Sequence, residues 1–273
     1  MIKFWQDRVS KDNDGFTFSE WVPQFLGSVR RGVTLAEGAT HGDGAPTIAH
    51  LGFTLAETLI TLGIIGVVAA MTIPNLIATH QKKQTVVKLQ KAISVMNQAY
   101  RLAYDDVGEV TAEEARALGA QNYFDKFWAP YIKVLSLCNV TGCGYDKPAP
   151  WKYPNGSSTN LLIETRWSRV IFTSMDGFLY AVITVTGADK DLRTSSSIYV
   201  DINGTAKPNT FGRDVFLLER KIDGEKGGVV VPACSTLTNT DVNNNCSKSG
   251  GGDCCAEKIK RAGWRIDKSY PWK

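Results

Sequence analysis

A long uninterrupted apolar segment constrains this chain more than any other feature. From Phe53 to Ile73 the sequence reads FTLAETLITLGIIGVVAAMTI, 21 residues with a single ionisable side chain, Glu57. In an α-helix, at about 1.5 Å per residue, the segment spans roughly 30 Å, the thickness of the hydrocarbon core of a bilayer. We therefore predict one transmembrane helix. The alternatives are a buried core helix and a secretory signal, but no small-residue cleavage pattern follows the segment.

The helical period continues beyond the apolar segment. Pro74 comes next, and because proline removes a backbone donor we expect it to kink the helix near the membrane surface. Farther along, apolar residues recur at alternating steps of three and four: Val86, Leu89, Ile93, Met96, Tyr100 and Ala103. The sequence thus predicts a helix of about 50 residues, in which residues 53–74 cross the membrane and residues 75–105 pack on the C-terminal region.

The composition and the motifs exclude several broad classes of protein. Apolar residues make up 43% and charged residues 21% of the 273 positions, as in ordinary globular proteins. The 31 Lys+Arg against 27 Asp+Glu leave a net charge of only +4, so nucleic acid is not indicated as a partner. No histidine follows His80, and neither a serine nucleophile elbow nor a phosphate-binding loop occurs, so we expect no enzymatic activity.

Strand signals dominate the C-terminal half. Runs rich in β-branched and aromatic residues predict strands at Leu161–Trp167, Arg169–Thr173, Phe178–Val185, Ser197–Ile202 and Asp214–Arg220. The dipeptide Asp176-Gly177 between two of these runs indicates a hairpin turn. We therefore predict an α+β fold, in which residues 106–273 form a small antiparallel sheet of four or five strands packed on the long helix.

The segments around the predicted sheet carry helix and loop signals. Residues Phe124–Val134 predict one or two short helices broken near Pro130. Ser235–Asp253, rich in Asn, Ser, Thr and Gly, is typical of a surface loop, and Cys255–Ala262 predicts a short helix ended by Gly263. The aromatic residues of the C-terminal tail are expected to pack on the sheet, with a surface-binding tip as the alternative.

The cysteines indicate an oxidising compartment. All six lie beyond the apolar segment: Cys138, Cys143, Cys234, Cys246, Cys254 and Cys255. Outside the cytoplasm such residues form disulfides that fix loops, and six cysteines allow fifteen pairings. Cys138–Cys143 is the most plausible local pair. A zinc site or a reactive thiol is disfavoured, because no CxxC pair and no later histidine is present.

The residues around the start of the apolar segment resemble a known processing site. Gly52-Phe53-Thr54-Leu55-Ala56-Glu57, followed by the apolar run and Pro74, is similar to the prepilin cleavage and methylation segment of type IV pilins and type II secretion pseudopilins. The resemblance implies that a prepilin peptidase cuts between Gly52 and Phe53 and that Phe53 becomes the N-methylated terminus. It also implies that Glu57 pairs with the terminal amine of a neighbouring subunit during assembly.

The resemblance further implies a location and partners. Residues 1–52 would be a leader removed on processing, and the mature chain would be a single-pass inner-membrane protein with its C-terminal domain outside the cytoplasm. After assembly it would lie in a periplasmic or extracellular filament, in contact with membrane lipid, other pilin or pseudopilin subunits and an inner-membrane assembly platform. A pilus, a secretion pseudopilus and a DNA-uptake system are not distinguished, nor are major and minor subunits.

Two features depart from the family pattern. The leader is longer than is usual, and Met1 is the only methionine before Met71, so a shorter natural leader would need a non-Met start codon. The basic residues nearest to the cut are Arg30-Arg31, whereas Lys82-Lys83 flank the other end of the apolar segment. The positive-inside rule alone would therefore favour the reverse orientation.

Oxygen-bearing side chains cluster in the second half of the predicted sheet. Asp201, Asn203 and Asp214 are the kind of hard donors that calcium takes, and some pseudopilins hold calcium in a C-terminal loop. The same Asp-x-Asn-Gly pattern also suits a hairpin turn, so calcium is the weaker interpretation. The function best matched by these features is a pilin-like subunit, and the alternative is a non-polymerising membrane-anchored protein with a disulfide-bonded binding domain.

Overall fold

The structure is a computed structural model, and it describes residues 54–108, 112–138, 144–145, 150–160, 168–184, 197–222 and 228–272. The helices are α1 (Leu55–Val107), α2 (Ala112–Phe127), a 3₁₀ turn (Ala129–Tyr131), α3 (Asn239–Asn245) and α4 (Cys255–Arg261). The strands are β1 (Val134–Cys138), β2 (Ser168–Ser174), β3 (Leu179–Thr184), β4 (Ser197–Asp201), β5 (Val215–Ile222) and β6 (Gly228–Pro232). The chain divides into two units after Asn75, and α1 is continuous from the first into the second.

The first part of α1 is apolar and exposed. This helix is long and apolar enough to cross a membrane, and none of its most apolar 18-residue window is buried within the protein. Its threonines remain compatible with an apolar environment, because Thr58, Thr61 and Thr72 each donate their hydroxyl to a helix carbonyl three or four residues earlier, at 2.8–3.0 Å. The helix runs through Pro74. The predicted kink at this residue stays a prediction.

The second part of α1 is amphipathic, as the periodicity predicted. Of the six stripe residues, five are buried and Ile93 is partly buried against the same core. Leu89 and Met96 are fully inaccessible to solvent. Burying large aliphatic side chains at helical spacing supplies most of the stability of such a packed helix.

Six described strands form one antiparallel sheet in the order β1-β2-β3-β4-β5-β6, so each strand pairs with its neighbour in sequence. This confirms the α+β prediction and places β2 to β5 where the sequence predicted strands. The predicted count of four or five strands was wrong, because β1 and β6 form the two edges and neither has a clear alternation of apolar residues. The predicted strand Leu161–Trp167 lies outside the described residues.

The sheet is apolar on both faces. One face carries Phe172, Tyr180 and Phe216 and shares a core with α1, α2 and α4. The opposite face forms a second core in which Trp151 and Phe211, from the segments outside the sheet, lie over Tyr199 and Val215. The strand residues of the two cores alternate along β2 to β5, as the two-residue period of a strand requires.

The β6 edge of the sheet is closed by a side chain of α1. The Asn97 amide nitrogen donates to the Val230 carbonyl at 2.7 Å, and the Val230 N–H donates to Asn97 Oδ1 at 2.8 Å. Close by, the backbone of Gly228 approaches the ring of Tyr100 so tightly that a Cβ would lie 2.0 Å from its Cε1 atom. Asn97 thus bonds to Val230 as a residue of a neighbouring strand would, and it satisfies both backbone groups of this edge residue.

The connections correct two local predictions. The helix predicted within Phe124–Val134 is the end of a longer element, because α2 begins at Ala112 and is interrupted at Gly119, which has a φ of 75°. It ends before Pro130, as predicted, and Val134 already belongs to β1. Ser235–Asp253 is not simply a loop, since it contains α3, whose first turn is capped by the Thr238 side chain.

Candidate functional site

The start of α1 is closed by a reciprocal pair of side chains. Glu57 Oε2 accepts hydrogen bonds from the Thr54 backbone N–H at 2.8 Å and from the Thr54 hydroxyl at 3.0 Å. The Glu57 N–H in turn donates to Thr54 Oγ1 at 3.2 Å. This is a capping box, in which two unpaired donors of the first helical turn are satisfied at once. Glu57 therefore has a partner within its own chain.

The remaining predicted processing residues cannot be placed. Gly52 and Phe53 lie outside the described residues, as does the leader. Downstream of Glu57, large apolar side chains of α1 are exposed, with Leu55 at 79% and Met71 at 71% of their full accessibility. Gly63 and Gly66 have no atom within 4 Å of the position that a Cβ would take. Among the described residues, therefore, nothing packs against the positions of these two glycines.

The cysteines form two disulfides among the described residues. The bonded pairs are Cys234–Cys254 and Cys246–Cys255. They join the end of β6 and the end of α3 to the start of α4, so the predicted disulfide-bonded C-terminal region is confirmed. Cys138, on β1, forms no disulfide with any other cysteine of the described residues. Its predicted partner Cys143 lies outside the described residues, so that pair stays a prediction.

The three oxygen-bearing residues selected from the sequence lie in one buried network. Asp201 accepts the Tyr145 hydroxyl at 2.9 Å and the Asn203 N–H at 3.3 Å, while the Trp151 indole donates to the Tyr145 oxygen at 3.0 Å. Burial and the nearby Asp214 carboxylate raise the pKa of Asp201 well above its usual range, because both disfavour a second negative charge there. Through Tyr145 and Trp151, the network connects the end of β4 to the second core, to which Trp151 belongs.

Asp214 organises the turn before β5. Its two carboxylate oxygens accept the backbone N–H groups of Asn209 at 2.7 Å and Thr210 at 2.5 Å, and its Oδ2 also accepts the Asn203 amide nitrogen at 3.2 Å. Burial raises the pKa of Asp214, although these hydrogen bonds oppose that shift. The carboxylate is thus held by donors of its own loop.

These contacts bear on the predicted calcium site. Two buried amide oxygens of this loop, Asn203 Oδ1 and Asn209 Oδ1, have no hydrogen-bond donor among the described residues, and such oxygens suit a hard cation. Against this, the amide nitrogen of Asn203, rather than its oxygen, faces Asp214. No group of three or more His, Cys, Asp or Glu residues in the described part of the chain is arranged to hold a metal. Calcium at Asp201, Asn203 and Asp214 stays a prediction.

The C-terminal aromatic residues pack inward, as their first interpretation predicted. Tyr270 is buried and donates its hydroxyl to the Gly212 carbonyl. Trp264 and Trp272 are partly buried against the core, and the Arg213 guanidinium lies 5.3 Å from the centre of the Trp272 ring. The alternative of an exposed aromatic tip is therefore not supported by the described residues.

Sequence reasoning missed two features of this region. The capping role of Thr54 has a sequence signal, because Thr-x-x-Glu directly before an apolar run is typical of a capping box. The bond between Asn97 and Val230 has none, since the two residues are 133 positions apart.

Comparison with known proteins gives one match. The family of unknown function DUF6613 matches residues 75–177, from the end of the apolar part of α1 to the turn before β3. No curated protein and no solved structure is significantly similar to the chain. The matching family has no assigned activity, so the functional argument rests on the residues themselves.

Proposed function

We propose that this chain is a pilin-like or pseudopilin subunit of a type IV pilus or type II secretion pseudopilus. It is inserted in the inner membrane as a precursor, cut by a prepilin peptidase between Gly52 and Phe53, and assembled through the first part of α1. The C-terminal domain lies outside the cytoplasm, where its disulfides form. Its partners are the peptidase, the assembly platform and further subunits.

The division of α1 into two environments carries this proposal. The first 20 or so residues are apolar around the whole helix and exposed, whereas the later part buries one stripe in the globular core. An exposed apolar rod needs a covering of lipid or of other helices. In a filament subunit, lipid covers the apolar helix before assembly and the helices of other subunits cover it afterwards. The apolar surface therefore stays away from water throughout.

Glu57 supplies the second argument. A carboxylate within a membrane helix costs a few kcal/mol unless it is paired. The capping box lowers that cost by hydrogen bonding, but it leaves the negative charge without a cation. The terminal amine of a processed neighbour would be that cation in a low-dielectric bundle.

One observation favours the alternative, a membrane-anchored protein that never polymerises. The capping box explains an acidic residue at this position by helix termination alone, with no second subunit. The two functions differ in whether the charge of Glu57 is needed or only its hydrogen bonds.

Processing is tested first. The full precursor is expressed with and without a prepilin peptidase, and the N-terminus of the product is determined by mass spectrometry. We expect a chain that begins at N-methylated Phe53 only when the peptidase is present. An uncut chain, or cleavage near Ala70 by a signal peptidase, would contradict the proposal.

Two matched variants then separate charge from capping. Glu57→Gln keeps the capping box, because Gln serves at this position as well as Glu, but it removes the charge. Thr54→Ala removes the capping hydroxyl and keeps the charge. With the assembly machinery co-expressed, we expect both variants to be processed, Thr54→Ala to assemble into sheared filaments, and Glu57→Gln to stay in the membrane fraction. Normal filaments from Glu57→Gln would refute the pairing of Glu57 with an amine.

A further inference from the structure

A cavity of about 500 Å³ opens beside the second core of the sheet, next to Phe211. It lies between the segment around Lys152 and the turn from Thr205 to Arg213 that connects β4 to β5. Its volume is within the usual range of small-molecule sites, about 300–1,000 Å³. All of its lining residues belong to the second unit of the chain.

The walls of this cavity are fixed by backbone hydrogen bonds. Lys152 N–H donates to the Asn209 carbonyl at 2.9 Å, and Phe211 N–H donates to the Lys152 carbonyl at 2.9 Å. Asp214 holds the same turn through the N–H groups of Asn209 and Thr210. Phe211 is buried below the turn, edge-on to Trp151. A preorganised wall of this kind loses little entropy when a ligand binds.

The charge of the lining is of one sign. Lys152, Lys207 and Arg213 line the cavity, and no Asp or Glu is among its described lining residues. Lys152 and Lys207 are exposed and form no ion pair within the described part of the chain. A smaller cavity of about 180 Å³ shares Lys207 and Arg213 and adds Lys88 and one acidic residue, Asp214, whose carboxylate already accepts hydrogen bonds from its own loop. Three cationic side chains in the lining of the larger cavity, with no acidic residue among its described lining, attract an anion.

Asn209 adds a second requirement. This residue is among those that line the same cavity, it is 6% exposed, and its buried Oδ1 has no donor among the described residues. A buried acceptor without a donor is unfavourable, so the site is completed by a ligand that carries a hydroxyl or N–H group. A simple inorganic anion such as sulfate has no such donor.

The lining also disfavours single-stranded nucleic acid. Base stacking needs an exposed aromatic face. Among the described aromatic residues here, Phe211 is buried, Tyr145 is partly buried, and the Arg213 guanidinium lies over the Trp272 ring in the adjoining cavity. Pro154 and Pro208 instead add apolar surface to the lining, against which the C–H face of a sugar ring can pack.

We propose that this cavity binds an anionic saccharide, a hydroxyl-bearing sugar ring with a carboxylate or phosphate group. Lys152, Lys207 and Arg213 bind the anionic group, and Asn209 Oδ1 accepts a ring hydroxyl. The C-terminal domain would thereby contact acidic polysaccharide or sugar-phosphate material outside the cell.

The test measures binding to the full chain in detergent micelles by isothermal titration calorimetry. The probes are trigalacturonate for a carboxylated sugar, glucose 6-phosphate for a phosphorylated one, neutral maltotriose, sodium sulfate and a 12-residue oligothymidylate. We expect at least one of the two acidic sugars to bind, and to bind at least tenfold more tightly than maltotriose and sulfate. Binding of trigalacturonate would identify a site for a carboxylate, and binding of glucose 6-phosphate would identify a site for a phosphate.

Two variants assign the binding to this cavity. Lys207→Glu reverses one exposed lining charge and is expected to weaken the acidic sugar at least tenfold, whereas Lys248→Glu, an equally exposed lysine outside both cavities, leaves the affinity within twofold. Asn209→Gly suits the backbone φ of +54° and removes the acceptor, so the preference for acidic sugar over sulfate should fall. A thermal melt checks that each variant is folded.

Several results would overturn the proposal. Absence of binding by both acidic sugars at 10 mM, equal binding of maltotriose, or an unchanged affinity in Lys207→Glu would each do so. Tighter binding of the oligothymidylate than of either sugar would assign the basic cavity to nucleic acid instead.

Discussion

The contact between Asn97 and the edge of the sheet gives the sharpest prediction for stability. In Asn97→Ala the N–H and the carbonyl of Val230 both lose their partner, and Val230 is 1% exposed. An unsatisfied buried backbone group costs about 1–3 kcal/mol, and alanine returns about 0.5 kcal/mol of helix propensity. We therefore expect the free energy of unfolding to fall by about 1.5–5.5 kcal/mol.

The assay is urea unfolding of the full chain in detergent micelles, followed by tryptophan fluorescence, because Trp128 and Trp151 are buried in the two cores. Gln98→Ala is the matched control, since Gln98 is the next residue of α1 and is exposed. Asn97→Asp keeps an acceptor for the N–H but sets a carboxylate against the carbonyl at pH 7. The loss of stability in Asn97→Asp should be smaller at pH 4, where the protonated carboxyl can donate a hydrogen bond to the Val230 carbonyl. A change below about 0.5 kcal/mol in Asn97→Ala would refute the reasoning.

Three further changes probe the core, the buried acid and the disulfides. Gly228→Ala is expected to cost about 1–3 kcal/mol in urea unfolding, because its Cβ meets the Tyr100 ring; an unchanged midpoint would mean that the ring moves freely. Asp201→Asn, melted in EGTA at pH 7, should stabilise the chain by about 1–2 kcal/mol by removing a buried charge. Because the pKa of Asp201 is raised in the folded state, the wild-type protein loses stability as the pH rises through that pKa. The advantage of Asp201→Asn over the wild type should therefore disappear at low pH. If Asp201→Asn is destabilised only when CaCl₂ is added, Asp201 is a calcium ligand. Cys246→Ser removes the disulfide to Cys255, nine positions along the chain, and should lower the stability in thermal unfolding by about 2–3 kcal/mol. A melting midpoint equal to that of the wild type would show that packing alone holds Cys255 in place.

Those parts of the fold that depend on local periodicity could be predicted from the sequence. The buried stripe of α1 follows from apolar residues at steps of three and four, and β2 to β5 follow from alternation and from turn residues such as Asp176-Gly177. The α+β class then follows, because the apolar stripe of the helix must be covered and the apolar strands supply a surface that covers it.

The parts that depend on distant contacts could not. β1 has exposed Leu135 and Leu137, and β6 is a short Val-rich run, so neither shows which face is buried. Only pairing with β2 and β5 makes them strands. The acidic network was predicted as a set of residues, but its hydrogen-bond donors from Tyr145 and Trp151 come from a segment more than 45 positions upstream. The basic cavity is likewise assembled from two segments without a shared motif.

The adjacent residues Cys254 and Cys255 bond to different segments, one to Cys234 and the other to Cys246. Exchanging the two partners would require a shift of only one residue along the chain, so oxidation alone does not select the native pairing. We therefore expect maturation to involve thiol–disulfide exchange until Cys254 is bonded to Cys234 and Cys255 to Cys246. The yield of native protein should therefore depend on a disulfide isomerase in the host compartment, and not on the supply of oxidant alone.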